Sequence, residues 1–264
     1  NTHVHNMTAT GSGYDYRIDV QVPHSYDTSN KRYPVLFLLD SNWYFPMVTS
    51  IVQTMMIIPS TQYVQEMIIV GIGYETTDVA MQTGLRSRDY TPSVNDEIVA
   101  SMRAILPWTE IENTSGEAAD FLSFIRDDVI PFIDTTYRSD PNTRIGHGHS
   151  FGGLFMLYTL FNKPDTFHRY IAASPSIWWD DKIILKHEQA YADTHNDLPT
   201  ILHLIAGTDE LGILTDAAAL VAKLKSRNYL GLDLQYEFME GEIHSSIVAR
   251  TFVNGIRTLL KVRE

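Results

Sequence analysis

Apolar positions along this chain follow two rhythms. From Tyr14 to Val22 they alternate, with Tyr14, Tyr16, Ile18, Val20 and Val22 on one face, the period of a half-buried strand. Pro23 closes that strand, and the polar residues 24–30 read as a loop. Val35-Leu36-Phe37-Leu38-Leu39 and Met67-Ile68-Ile69-Val70-Gly71-Ile72 are unbroken instead, the pattern of strands covered on both faces in a parallel sheet. Between them, residues 46–58 are apolar, rich in Met and predicted helical. Residues 117–137 put Phe121, Phe124, Ile125, Val129, Phe132 and Ile133 on one helical stripe, which Pro131 is expected to bend or break near its end. A short strand entered at 142–145 leads to Leu154, Leu157, Tyr158 and Phe161, again at helical spacing. Strands over 169–174, 200–206 and 233–239 then alternate with helices over 182–191, 216–228 and 246–262. This order predicts an α/β sheet with helices on both faces. Two stretches show no period. Residues 1–12 read as a polar, frayed terminus, and 73–116 as a long irregular section of the kind used for lids and binding insertions.

Composition narrows the class. With 264 residues, 44% of them hydrophobic, the chain can bury the core of one large α/β domain, so a single domain over 1–264 is expected. A net charge of −12 argues against a nucleic-acid partner and against docking on anionic membranes. There is no Cys, which removes disulfides, thiol catalysis and Cys-ligated metals. No apolar run reaches membrane-spanning length, so no membrane insertion is expected. The sequence opens on Asn1 and not on Met, as a processed, trimmed or engineered chain does, and the compartment stays open between cytoplasm and periplasm or secretion. Oligomeric state is open too. His3-Val4-His5 is read as part of the frayed end, and no metal or cofactor is expected.

The chemistry centres on Gly148-His149-Ser150-Phe151-Gly152-Gly153, with a strand before it and a helix after it. G-x-S-x-G in that context is a nucleophile elbow, in which the Ser stands on a sharp strand-to-helix turn and its neighbours must be small. A phosphate cradle is the alternative for a glycine-rich turn, but the Lys of a P-loop is missing. A Ser hydroxyl needs a base. His168, His187, His195, His203 and His244 follow Ser150, and only His244 lies in a loop after the last predicted strand, at the end of the sheet where Ser150 stands. The acid belongs after the preceding strand, where Gly207-Thr208-Asp209-Glu210 offers two carboxylates. Glu210 is favoured because it leaves room for a turn, with Asp209 as the alternative. An oxyanion hole needs two N–H donors, one from Phe151 and one from the loop at 41–43. Arg86 and Arg88 could hold an anionic or catechol-bearing substrate, or pair with Asp89. Trp43, Tyr44, Tyr90, Trp108, Trp178 and Trp179 suit a flat aromatic ligand or an ordinary apolar pocket. His147 and His149 are read as shape and packing residues.

Several segments together resemble the putative-esterase, or esterase-D-like, branch of the α/β-hydrolases, over about residues 14–260. They are Tyr33-Pro34-Val35-Leu36-Phe37-Leu38-Leu39-Asp40, Arg88-Asp89-Tyr90-Thr91-Pro92, the elbow, Ser174-Pro175-Ser176-Ile177-Trp178-Trp179 and Ile243-His244-Ser245. The second and fourth look most like the siderophore trilactone esterases. The resemblance implies the α/β-hydrolase fold with a mostly parallel central sheet, Ser150 as nucleophile, His244 as base, the N–H of Asn42 as second oxyanion donor and Arg86 near the substrate. Some trilactone esterases work with a Ser–His pair and no well-placed acid, which bears on Glu210. Ser41 stands where many relatives have Gly, implying an oxyanion loop of different shape. The expected activity is serine carboxylic-ester hydrolysis of a small-molecule ester. The alternatives are acyl transfer at the same site and a non-catalytic hydrolase-like binding protein.

Overall fold

The unbroken apolar runs form the middle of one eight-stranded sheet. The structure is a computed structural model that describes residues 1–56, 64–106 and 114–260. Its strands are β1 (Thr2–Thr8), β2 (Asp15–Gln21), β3 (Tyr33–Leu38), β4 (Ile68–Gly73), β5 (Ser139–His149), β6 (Arg169–Ala173), β7 (Ile201–Gly207) and β8 (Asp233–Met239). They lie in the order β1-β2-β4-β3-β5-β6-β7-β8, with β1 and β2 antiparallel to their neighbours and every other pairing parallel. This is the mostly parallel sheet of an α/β-hydrolase fold.

Alternate residues of the central strands feed two cores. Leu36, Leu38, Ile69, Ile145, Ile171 and Ile205 pack with α1 (Ser41–Met56) and α9 (Val248–Leu260). Val35, Phe37, Val70 and Leu204 face the other way, toward α6 (Phe151–Asn162), α7 (Trp179–Ala192) and α8 (Leu211–Arg227). Burial on both sides is why these strands read as continuous apolar runs.

Four expectations change. Residues 1–12 are not frayed: β1 pairs with β2 along its whole length, from Thr2 opposite Gln21 to Thr8 opposite Asp15. An edge strand with mostly exposed side chains has no buried face to impose a hydrophobic period. His5 Nε2 lies 2.7 Å from the Tyr137 hydroxyl, so this histidine is part of the strand's packing. Nor is 73–106 without regular structure, because it contains α2 (Val79–Tyr90) and α3 (Asp96–Arg103). The side chain of Asp78 caps α2 through the N–H groups of Ala80 and Met81, and that of Asn95 caps α3 through Ile98. Pro131 does not break its helix. α4 (Ala118–Ser123) runs through a π turn (Phe124–Val129) into α5 (Ile130–Thr136), the Ile130 N–H reaching back to Ile125 O. The wider turn accommodates a residue with no N–H to give. Finally, α1 and α8 begin at Ser41 and Leu211, about one turn earlier than the apolar pattern suggests.

Candidate active site

Three parallel strands end over one cleft, each in a backbone conformation that side chains rarely adopt. Asp40 after β3, Ser150 after β5 and Ser174 after β6 have φ of 56°, 63° and 42°. Non-glycine residues at positive φ cost energy and gather where function holds them.

Ser150 is the N-cap of α6, at φ 63° and ψ −119°. The turn is possible because its neighbours are small. A Cβ on Gly148 would stand 2.1 Å from the Gly152 carbonyl oxygen, and one on Gly153 would stand 2.7 Å from that of Ala173. The Ser150 N–H donates to Ala173 O, and its carbonyl accepts from Leu154 and Ser176. Phe151 is therefore the first residue of α6, where an N–H has no partner inside the helix and the helix dipole favours negative charge.

The loop after β3 is held by three side-chain anchors. Asp40 takes a two-pronged bond from Arg86, Nε to Oδ1 at 2.8 Å and Nη2 to Oδ2 at 3.0 Å. Ser41 donates to the buried Asp19 at 2.6 Å. The Asn42 amide accepts from the Tyr74 N–H and donates to the Tyr74 carbonyl, both at 2.8 Å. Ser41 is accommodated because Gly71 faces it: a Cβ there would lie 2.3 Å from Ser41 Oγ. Asn42 is the second residue of α1, so its N–H also points out of a helix start.

On the other side, Glu210 is 7% exposed and fully bonded. One oxygen lies 2.5 Å from His244 Nδ1. The other accepts from the Ser174 hydroxyl and the Gly207 N–H, each at 2.7 Å. Burial alone would raise this carboxyl, but the bonds from His244, Gly207 and Ser174 outweigh it and hold the group below the usual glutamate range. Asp209 turns elsewhere, its N–H on Glu242 O and its carboxylate near the Thr208 hydroxyl. Of the two carboxylates after β7, Glu210 is the one on His244.

Ser150 and His244 line one cleft of about 850 Å³, with Trp43, Met47, Arg86 and Trp178 among its walls. No hydrogen bond joins the two in this resting arrangement; the Ser150 hydroxyl lies 3.5 Å from that of Ser176. Catalytic bonds are often long before substrate arrives.

Residues 10–246 match the family described as Putative esterase. The ferri-bacillibactin esterase BesA of Bacillus subtilis is 32% identical over 253 residues, 94% of this chain and 85% of that protein. A siderophore triacetylfusarinine C esterase of Aspergillus fumigatus is 27% identical over 274 residues, covering 92% and 88%. The BES protein from Bacillus cereus superposes with a TM-score of 0.84 at 28% identity, over 99% of this chain and 95% of that one. The chain belongs to the putative-esterase family.

This esterase is a carboxylic-ester hydrolase of the serine type, and its remaining site candidates divide. Arg86 lines the cleft, its guanidinium 5.1 Å from the Trp43 ring and 5.4 Å from that of Phe151. Arg88 does not line it. It is buried in a two-pronged bond with Asp89 and lies 3.7 Å from the Tyr14 ring, so it joins α2 to the N-terminal part of the fold. The reason is helical spacing, which turns residues two apart away from each other. Trp43 and Trp178 both line the cleft, Trp179 is buried, and Trp108 lies outside the described residues. Among the described residues no group of His, Asp and Glu is arranged to hold a metal ion.

Two residues of the esterase cleft were not singled out by sequence. Ser176, from the Ser174-Pro175-Ser176 turn, sits beside the Ser150 hydroxyl. His149, read as a packing residue, faces His244 with ring centroids 4.6 Å apart. Burial first, then the adjacent His244 and Arg86, keep His149 well below the usual histidine value, so it stays neutral. The H-x-H spacing was the available signal, since it puts the second histidine at the strand end, directly before Ser150.

Proposed function

We propose that Ser150, His244 and Glu210 form a catalytic triad working through an acyl-enzyme. The observation that carries this reading is the 2.5 Å contact between Glu210 Oε1 and His244 Nδ1, in a cleft that His244 shares with Ser150. A carboxylate on Nδ1 fixes the tautomer, with its proton on Nδ1 and Nε2 bare, and stabilises the imidazolium that forms later. Ser150 Oγ attacks the ester carbonyl while His244 takes its proton. The N–H groups of Phe151 and Asn42, each at a helix start, receive the oxyanion. His244 returns the proton to the departing alkoxide as the C–O bond breaks. Water then repeats the sequence on the acyl-enzyme, releasing the acid and freeing Ser150.

The named relatives act on siderophores, and the aromatic walls formed by Trp43, Tyr44 and Trp178 suit flat acyl arms. We therefore assign a siderophore-like or other aromatic or short-chain ester as substrate. The chain acts as one domain, and Met102 and Leu106, from the stretch 73–116, supply part of the substrate wall.

The test is turnover of p-nitrophenyl acetate, butyrate and octanoate and of a tris-catechol trilactone, with fluorophosphonate labelling in parallel. Wild type should turn over at least one ester and be labelled on Ser150. Ser150→Ala should lower kcat by about 10⁴-fold or more and abolish labelling. A Ser150→Ala protein as active as wild type would sink the nucleophile assignment.

A further inference from the structure

We propose that His149 is a positioning residue for His244, its buried ring serving as the platform that aims the base at Ser150 and faces the imidazolium during turnover. The proposal rests on the esterase reading and adds a residue to the machinery of that site.

His244 needs such a support. It sits in the loop after β8 with its side chain 45% exposed, and among the described residues its ring makes one side-chain hydrogen bond, from Nδ1 to Glu210 Oε1. A bond at one atom fixes the tautomer but lets the ring tilt about it, and a tilt carries Nε2 off the line to Ser150. The face of the ring is met by His149, with centroids 4.6 Å apart and planes at 39°. His149 is itself fixed. It is the last residue of β5, paired in register with Ala173 of β6, and 4% exposed. The Tyr44 ring stands edge-on to it at 88°, and Arg86 Nη2 lies 3.4 Å from its carbonyl oxygen. The next residue is Ser150, so one stretch of backbone sets both the platform and the nucleophile.

The chemistry of the ring fits this use. Its Nε2 is buried and, among the described residues, has no hydrogen-bond partner, so the side chain acts through its face and not through that nitrogen. Burial, then His244 and Arg86, keep it uncharged. An uncharged aromatic face attracts a cation. The imidazolium that forms as His244 takes the Ser150 proton is therefore held better than the neutral ring before it, and a contact that strengthens only at that point speeds the reaction. His147 supplies a built-in comparison. It lies two positions earlier on the same face of β5 and is as deeply buried, but it stacks on Phe252.

The experiment measures kcat and KM of His149→Leu, His149→Phe and His147→Leu on the p-nitrophenyl ester that wild type turns over fastest, with active sites counted by fluorophosphonate labelling. His149→Leu, which has no aromatic face, should lower kcat about tenfold or more with KM within about threefold of wild type. His149→Phe should restore kcat to within about threefold of wild type, and His147→Leu should stay within about twofold. A His149→Leu kcat within twofold of wild type, a loss carried by KM alone, a Phe variant as slow as the Leu one, or a His147→Leu loss as large as that of His149→Leu each overturns the proposal. Should His149→Leu fail to fold, His149→Asn, smaller and also without an aromatic ring, takes its place under the same limits. If Ser150 of wild type takes no fluorophosphonate and no ester is turned over, the esterase reading falls and this proposal with it. A Ser150-dependent wild type matched by His149→Leu sinks this proposal alone.

Discussion

Strand β5 and helix α2 both deliver residues to the cleft, and both bury polar side chains in doing so. β5 buries His147 and His149 without charge. Burial pushes His147 down to about 3, and it stacks on Phe252 with centroids 4.1 Å apart. α2 buries Arg86, Arg88 and Asp89 charged, each against an opposite charge. Imidazole can shed its proton and enter as a flat, nearly apolar ring, whereas guanidinium keeps its charge and must bring a carboxylate with it. The two solutions fail differently. Losing a histidine removes packing, but losing one member of a pair strands the other.

The largest effect should therefore come from α2, away from the cleft. Arg88→Met leaves Asp89 buried beside the hydroxyl of Tyr74 with no cation, and should cost about 3–5 kcal/mol in urea unfolding. A loss below about 1 kcal/mol would mean that water reaches Asp89 and that α2 is not sealed.

On β5 the sensitive position is a glycine. Gly148→Ala forces its Cβ onto the Gly152 carbonyl, which displaces the elbow, and kcat should fall by about 10²-fold while circular dichroism still shows a folded protein. Unchanged kcat would show that the turn yields without moving Ser150.

The smallest effect is a slope. An unfolded chain protonates His147 near 6.5, whereas the folded one resists to about 3. As pH falls through that window the unfolded state binds the extra proton, so stability drops by about 1.4 kcal/mol per pH unit for this residue. His147→Phe should keep the packing and flatten the slope by nearly that amount in urea midpoints measured between about pH 4 and 6, below the unfolded value and above the folded one. An identical slope in the variant would mean that His147 is already protonated in the folded state.

The same contrast explains what could be read in advance. The elbow was legible because its needs are local: glycines at Gly148, Gly152 and Gly153, an apolar helix after them, a strand before them. His244 and Glu210 followed from chain order and strand ends. α2 was not legible, because eight of its twelve residues are buried and five of those, Gln82, Arg86, Ser87, Arg88 and Asp89, are strongly polar. Their partners Asp40, Tyr16 and Tyr74 come from distant strands and loops, so no local period could announce the helix. β1 escaped for the opposite reason, since its side chains are mostly exposed and only its backbone is committed. Which of Arg86 and Arg88 faces the cleft needed the helix phase, and that needed the helix.

Glu210 has a consequence beyond the role proposed for it in the triad. Its two oxygens gather atoms from three chain segments: the Ser174 hydroxyl after β6, the Gly207 N–H at the end of β7 and the His244 ring after β8. The carboxylate is a rivet through three loops. A change of length or sequence in those loops leaves the rivet intact as long as each segment still returns to its hole in the plate. Changes at the loop tips can thus be absorbed while His244 keeps its place against Glu210.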